Sequence, residues 1–140
     1  FGLQYFDLPL DSFFPPTEKE LAQIIEILKT CPKPVLIHCH SGIDRTGTVS
    51  SICFLAMEDG PEALQKAQEQ LRLFGGYLPW GWGKAAANHV AFLNLYRSWL
   101  ADHGYTHTSA RFREWVFQVY LTLPEYRHWQ AQGMGQIPPG

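Results

Sequence analysis

Charge is scarce in this chain of 140 residues: 17% are Asp, Glu, Lys or Arg, and 11 basic against 13 acidic side chains leave a formal charge of −2. That balance excludes the basic footprint of a nucleic-acid binder and a polybasic membrane-binding face. No apolar run approaches the roughly 20 residues of a membrane span, and no basic segment leads an apolar one at the start. Cysteine is sparse too. Cys31, Cys39 and Cys53 are odd in number and irregular in spacing, which excludes a disulfide framework. Thiols in a reducing compartment, and hence a cytoplasmic location, are expected. Internal repeats and low-complexity tracts are absent.

What is present is an ordinary globular composition, 46% hydrophobic, at a length suited to one compact unit. Residues 3–10 (LQYFDLPL) place Phe6, Leu8 and Leu10 at period two, the pattern of a strand with one buried face, and Pro9 puts it at an edge or near its end. Thr17 and Glu20 form a capping box before a stripe of Leu21, Ile24, Ile25 and Leu28, which predicts a helix. The breaker CPKP ends it, and Val35–His38 read as a short buried strand of the parallel type. Beyond Arg45 the pattern is helical: residues 46–57, then Pro61 to the Gly75-Gly76 pair, then 85–101. A fourth helix over 109–121 has Phe112, Trp115, Val116, Val119 and Tyr120 on one face.

Strand, helix, strand and a run of helices predict an α/β fold. Its core would be a mainly parallel sheet flanked by helices, with Val35–His38 central and a helical C-terminal part. Two strands fall short of the roughly three that a stable sheet needs. Further strands are therefore expected upstream of Phe1 or from another chain.

The segment "VLIHCHSGIDRTG", residues 35–47, concentrates the chemistry. A turn from Cys39 to Arg45, followed by a helix, makes an anion cradle: backbone N–H groups of the turn point inward, and the helix adds its N-terminal partial positive charge. Arg45 can close the cradle with a bidentate fork on two phosphate oxygens. Gly42 frees a backbone position of Cβ, and Gly47 permits close helix packing. A cysteine at the floor of such a cup is favoured as thiolate, with pKa values of roughly 3.5–7.5 in comparable settings. Cys39 is then a nucleophile aimed at phosphorus. The bland alternative, an inert cysteine packed at a strand end, explains neither the glycines nor the Asp-Arg pair. Zinc held by the His-Cys-His run is disfavoured, since adjacent residues rarely converge on one ion, so no metal or cofactor is expected.

The run HCHSGIDRTG, residues 38–47, resembles the Cys-x5-Arg signature of the protein tyrosine phosphatase superfamily, closest to its dual-specificity-like and bacterial branches. The resemblance implies a phosphotyrosine-phosphatase-like fold, a phosphocysteine intermediate on Cys39, and phosphoryl binding by Arg45 with the N–H groups of His40, Ser41, Gly42, Ile43 and Asp44. It implies that Thr46 helps the sulfur leave and that His38 and Gly47 support the loop. Residues 1–101 would be the catalytic domain, N-terminally incomplete. Residues 102–140 would be a helical extension packed on it, with a frayed tail.

Relatives of this kind use an aspartate on a separate loop as general acid. Asp11, just past the end of the first expected strand, is preferred on sheet-edge geometry. Asp7 lies roughly 13 Å back along that strand at about 3.3 Å per residue. Asp44, immediately before the arginine, is the third candidate. With no lysine between Cys39 and Arg45, a phosphoprotein, phosphotyrosine first, is the expected substrate and partner. A phosphoinositide or inositol phosphate is the alternative, and a non-catalytic phosphate-binding pseudophosphatase the rival from another class. The aromatic stretch Tyr77–Trp82 (YLPWGW) packs a loop or rims the pocket. The sequence does not specify an oligomeric state.

Overall fold

The computed structural model describes residue 10 and residues 13–30, 44–75 and 83–135, with the backbone alone for 44–46, 72–75 and 83–86. Helix α1 (Glu18–Thr30) starts from the expected capping box. The Glu20 N–H donates to Thr17 Oγ1 at 3.1 Å, and the Thr17 N–H donates to Glu20 Oε1 at 2.8 Å. Its buried residues are those of the predicted stripe: Leu21, Ile24, Ile25 and Leu28. Helices α2 (Asp44–Met57), α3 (Pro61–Gly75) and α4 (Gly83–His103) follow. Helix α4 stops in a Schellman turn. Gly104 adopts φ +66°, its N–H donates to the Ala101 carbonyl, and the Tyr105 N–H reaches back to the Leu100 carbonyl.

The segment expected as one helix over 109–121 divides into three. Helix α5 (Ser109–Glu114) is capped by Thr108, whose hydroxyl oxygen accepts from the Arg111 N–H at 3.1 Å. A π-helical turn (Trp115–Val119) and a 3₁₀ turn (Tyr120–Thr122) come next, and Pro124 opens α6 (Pro124–Ala131). In the wide turn the Tyr120 N–H bonds to the Trp115 carbonyl five residues back. That spacing stacks the Trp115 and Tyr120 rings at 5.0 Å and keeps both fully buried.

The core is aromatic. Phe92 of α4 meets Trp115 edge-on at 5.6 Å and Tyr120 at 5.2 Å, while Tyr96 meets Phe112 at 5.2 Å. Such pairs contribute about 0.5–1.5 kcal/mol each beyond the area they bury. Tyr120 also ties distant chain together, donating from its hydroxyl to the Pro16 carbonyl at 2.7 Å. Tyr126 accepts from the Glu18 N–H at 3.1 Å.

The expected α/β fold with a mainly parallel sheet is overturned. The described residues are mainly helical and contain no strand, and their buried apolar side chains form one cluster. Of the two segments read as strands, 35–38 lies outside the described residues. Residues 3–10 do so too, apart from Leu10, which belongs to no regular element. The physical reason for the misreading is that a short apolar run carries no unambiguous period, whereas sheet formation depends on partners far along the chain.

A second polar knot closes the turn between α2 and α3. His107, 1% exposed, faces Tyr96 Oη through Nδ1 at 2.6 Å and the Glu58 carbonyl through Nε2 at 2.9 Å. A carbonyl only accepts, so Nε2 carries the proton and Nδ1 accepts from Tyr96. The His107 carbonyl in turn accepts from the N–H of Gly60, whose φ of +91° suits glycine. Burial pushes the His107 pKa below its ordinary 6.5, against the opposing pull of the Glu58 carbonyl and the Asp59 charge. The unfolded chain therefore binds this proton more readily than the folded one. The stabilisation is fully present above about pH 6.5 and is lost as pH falls through the lower folded value. Urea unfolding should show stability declining on the acid side of pH 6.5, ahead of carboxylate titration, and His107→Gln should flatten that decline. An unchanged slope in the variant would assign it to another group.

Candidate active site

Helix α2 begins at Asp44, so Asp44, Arg45 and Thr46 occupy its first turn, where unpaired backbone N–H groups and the positive end of the dipole lie. Gly47 is buried within the same helix. Cys39 and its neighbours His38, His40, Ser41, Gly42 and Ile43 lie outside the described residues, as do Asp7, Asp11, Cys31 and the Tyr77–Trp82 stretch. Cys53 sits on α2, partly buried against the core.

The inward face of α2 fixes how that first turn is held. Ile52, Leu55 and Ala56 are buried apolar residues, and Thr48 and Ser51 are buried polar ones. Thr48 Oγ1 is hydrogen-bonded to His89 Nδ1 of α4 at 2.8 Å, with both residues almost inaccessible to water. Ser51 Oγ, one turn further on, has no hydrogen-bond partner among the described residues.

A second anchorage concerns the segment after Asp11. Leu10 is packed against the core, and Phe14, Pro15 and Pro16 are buried. Phe13 is 40% exposed, and its carbonyl accepts from Asn88 Nδ2 of α4 at 3.1 Å. Asp11 thus lies in the chain between two anchored residues. With no sheet among the described residues, sheet-edge geometry no longer supports Asp11. Asp11 itself lies outside the described residues, and its candidacy rests on the resemblance alone. Among the described residues no group of three His, Cys, Asp or Glu side chains could hold a metal ion, and no helix is long and apolar enough to cross a membrane.

Thr48, Asn88 and His89 were not singled out by the sequence. His89 carried the only signal, a polar residue three and seven positions before the buried Phe92 and Tyr96 on one helix stripe. Nothing local names its partner.

A family model described as "Polymorphic toxin system, DSP-PTPase phosphatase" matches residues 1–59. Residues 1–59 are similar to a dual-specificity-phosphatase-like family. The match takes in α1, the Cys39-x5-Arg45 run of the sequence and all of α2, and it points to a phosphatase, a hydrolase of phosphate esters. No curated protein and no solved structure matches the chain.

The two buried hydroxyls of α2 should respond oppositely to removal. Thr48→Val takes a partner from a buried histidine and should destabilise by about 1–3 kcal/mol. Ser51→Ala removes a buried hydroxyl that has no partner among the described residues and should be neutral or stabilising. Urea denaturation midpoints at constant slope measure both, and equal losses would contradict the Thr48–His89 contact.

Proposed function

We propose that this chain is a cysteine-dependent phosphatase acting on phosphate monoesters of proteins, phosphotyrosine first. The observation that carries the reading is the phosphatase-family match over residues 1–59 around an intact Cys39-x5-Arg45 run that feeds into the first turn of α2. Cys39, as thiolate, attacks phosphorus and forms the S–P bond while the P–O bond to the leaving group breaks. Asp11 delivers its proton to the departing oxygen. Water then attacks the phosphocysteine, phosphate leaves, and the thiolate is restored with help from the Thr46 hydroxyl. Arg45 and the N–H groups of residues 40–45 hold the equatorial oxygens, the term that usually dominates such catalysis. His38 and Gly47 support the loop. The chemistry calls for no metal or cofactor.

A thiolate nucleophile needs a reducing setting, so the cytoplasm is the proposed site of action. The matched family is described by its place in polymorphic toxin systems.

Hydrolysis of p-nitrophenyl phosphate and of a phosphotyrosine peptide tests the reading. Cys39→Ser should abolish turnover yet retain vanadate binding, because the N–H groups and Arg45 remain. Vanadate binding by a wild-type protein without turnover would instead identify a pseudophosphatase. Arg45→Lys should lower kcat/KM by about 10²-fold or more, since a point charge does not replace the planar fork.

The general acid has its own signature. Asp11→Asn should slow the phosphotyrosine peptide by about 10²–10⁴-fold, spare the activated nitrophenyl ester, and remove the basic limb of the pH–rate profile. If Asp44→Asn shows that leaving-group dependence and Asp11→Asn does not, the acid lies within the signature turn.

A further inference from the structure

The C-terminal end of α4 carries a group of rings that runs from the core out to the surface. Trp99 is half-buried and stacks on the buried Tyr96 at 6.2 Å. It meets His103 at 5.3 Å and Tyr105 at 5.4 Å, and His103 stacks on Tyr105 at 5.2 Å. Tyr105 is 40% exposed, and His103 is exposed as well. Arg111 of α5, half-buried, lies over the Tyr105 ring at 4.2 Å. The backbone beneath these side chains is fixed: the Tyr105 N–H donates to the Leu100 carbonyl, and the Arg111 N–H donates to Thr108 Oγ1.

Arg111 is held without a carboxylate. Its Nη1 donates to the Thr106 carbonyl at 2.7 Å. Glu114 stands three residues further along α5, a spacing at which helical side chains can pair. The one ion pair among the described residues is nonetheless Lys66 with Glu58. A guanidinium carries five N–H donors in a planar fork, so a single carbonyl leaves most of them for a ligand. A fork fixed in advance also loses less entropy when it binds. For the fold itself, an exposed cation–π contact contributes only about 0.5–1 kcal/mol. Tryptophan, tyrosine and arginine side by side are, by contrast, the composition that dominates binding at protein interfaces.

We propose that Trp99, Tyr105 and Arg111 are the centre of a protein-docking surface whose partner is an acidic segment. The partner presents a carboxylate to Arg111 and an apolar side chain to the two rings. Charge selects it: a carboxylate accepts two parallel N–H bonds from the fork, whereas a basic segment meets a cation with no acid beside it. The surface lies beyond residues 1–59, so the inference stands apart from the phosphatase reading.

A displayed library of random linear peptides, panned on the whole chain, tests it. Enriched peptides should carry Asp or Glu next to an apolar residue. Their affinity should fall by about 10-fold or more in Tyr105→Ala and in Arg111→Lys, which keeps the charge but not the fork. Exchanging the peptide's Asp or Glu for Asn or Gln should cost as much, with the chain itself untouched. Arg127→Ala, at an exposed position of α6, should bind as the wild type does. Each variant is assayed well below its own unfolding midpoint, read by circular dichroism. No enrichment, enrichment of peptides without an acidic residue, or binding unchanged in Tyr105→Ala and Arg111→Lys overturns the proposal. A concentration-dependent dimer in sedimentation that Tyr105→Ala abolishes overturns it too, by assigning the surface to a second copy of the chain.

Discussion

Helix α4 buries one face, and that face carries hydrogen-bonding atoms among its rings. His89, Phe92, Leu93, Tyr96 and Leu100 are all buried along it. A buried polar group left unpaired costs about 1–3 kcal/mol, so the imidazole and the phenol must each find a partner on another element. They find Thr48 of α2 and His107 of the loop before α5, at 2.8 and 2.6 Å. Apolar contact alone tolerates sliding of one helix on another. Two short hydrogen bonds to different elements do not, and they fix the register of α2, α4 and the α5 approach together. Burial keeps the Tyr96 phenol neutral far into alkaline conditions, so that half of the constraint persists on the alkaline side and is limited on the acid side by protonation of His107.

The stretch that resembles a phosphatase leans on chain far beyond it. Leu21, Ile24, Ile25, Ile52 and Leu55 belong to the same apolar cluster as Tyr96, Trp115, Tyr120 and Trp129. The entry into α1 is held by Tyr120 and Tyr126, across 104 and 108 positions of sequence. Closing loops of that length costs chain entropy that only a substantial burial can offset. The fully buried Trp115 and Tyr120 supply part of it. The geometry around residues 13–18 is therefore set by residues 120–126, which the family match does not include.

What the sequence disclosed follows from how local each signal is. Helices α1 and α3 were legible because an apolar stripe is bounded by a capping box in one case and by proline and glycine in the other. The stretch from 109 to 121 was legible as helical but not as three pieces. Phe112, Trp115, Val116, Val119 and Tyr120 fit an unbroken α-helix as well as one with a widened turn, and ring stacking in the core decides for the latter. The mainly parallel sheet did not follow from two strand-like runs, because short apolar runs say little without their partners, and the described residues contain no strand. Cys39 lies outside the described residues, but the Cys39-x5-Arg45 spacing of the proposed site was visible in the sequence because a phosphate cradle is built from consecutive residues. Asn88 and His89 were not, because a hydrogen bond across 75 or 41 positions leaves no periodic trace.

Charge at the two ends of α2 bears on what the proposed cradle could accept. At the C-terminal end, Glu58 and Asp59 follow a last turn that has no basic residue, an arrangement the helix dipole disfavours. Both acids have other partners. Glu58 meets Lys66 at 3.3 Å in an exposed pair worth little. Asp59 accepts from the Ser109 N–H at the start of α5, which holds its pKa below the ordinary carboxylate value. At the N-terminal end, Asp44 is the first residue of the helix, a sequence position at which the dipole favours an acidic residue. Within residues 39–45 the formal cation is Arg45, since residues 40–44 contain neither lysine nor arginine. On the proposed reading, one guanidinium and a set of N–H groups suit a single phosphate monoester. A second phosphate on the same substrate would bring more negative charge to a turn with no further cation to meet it.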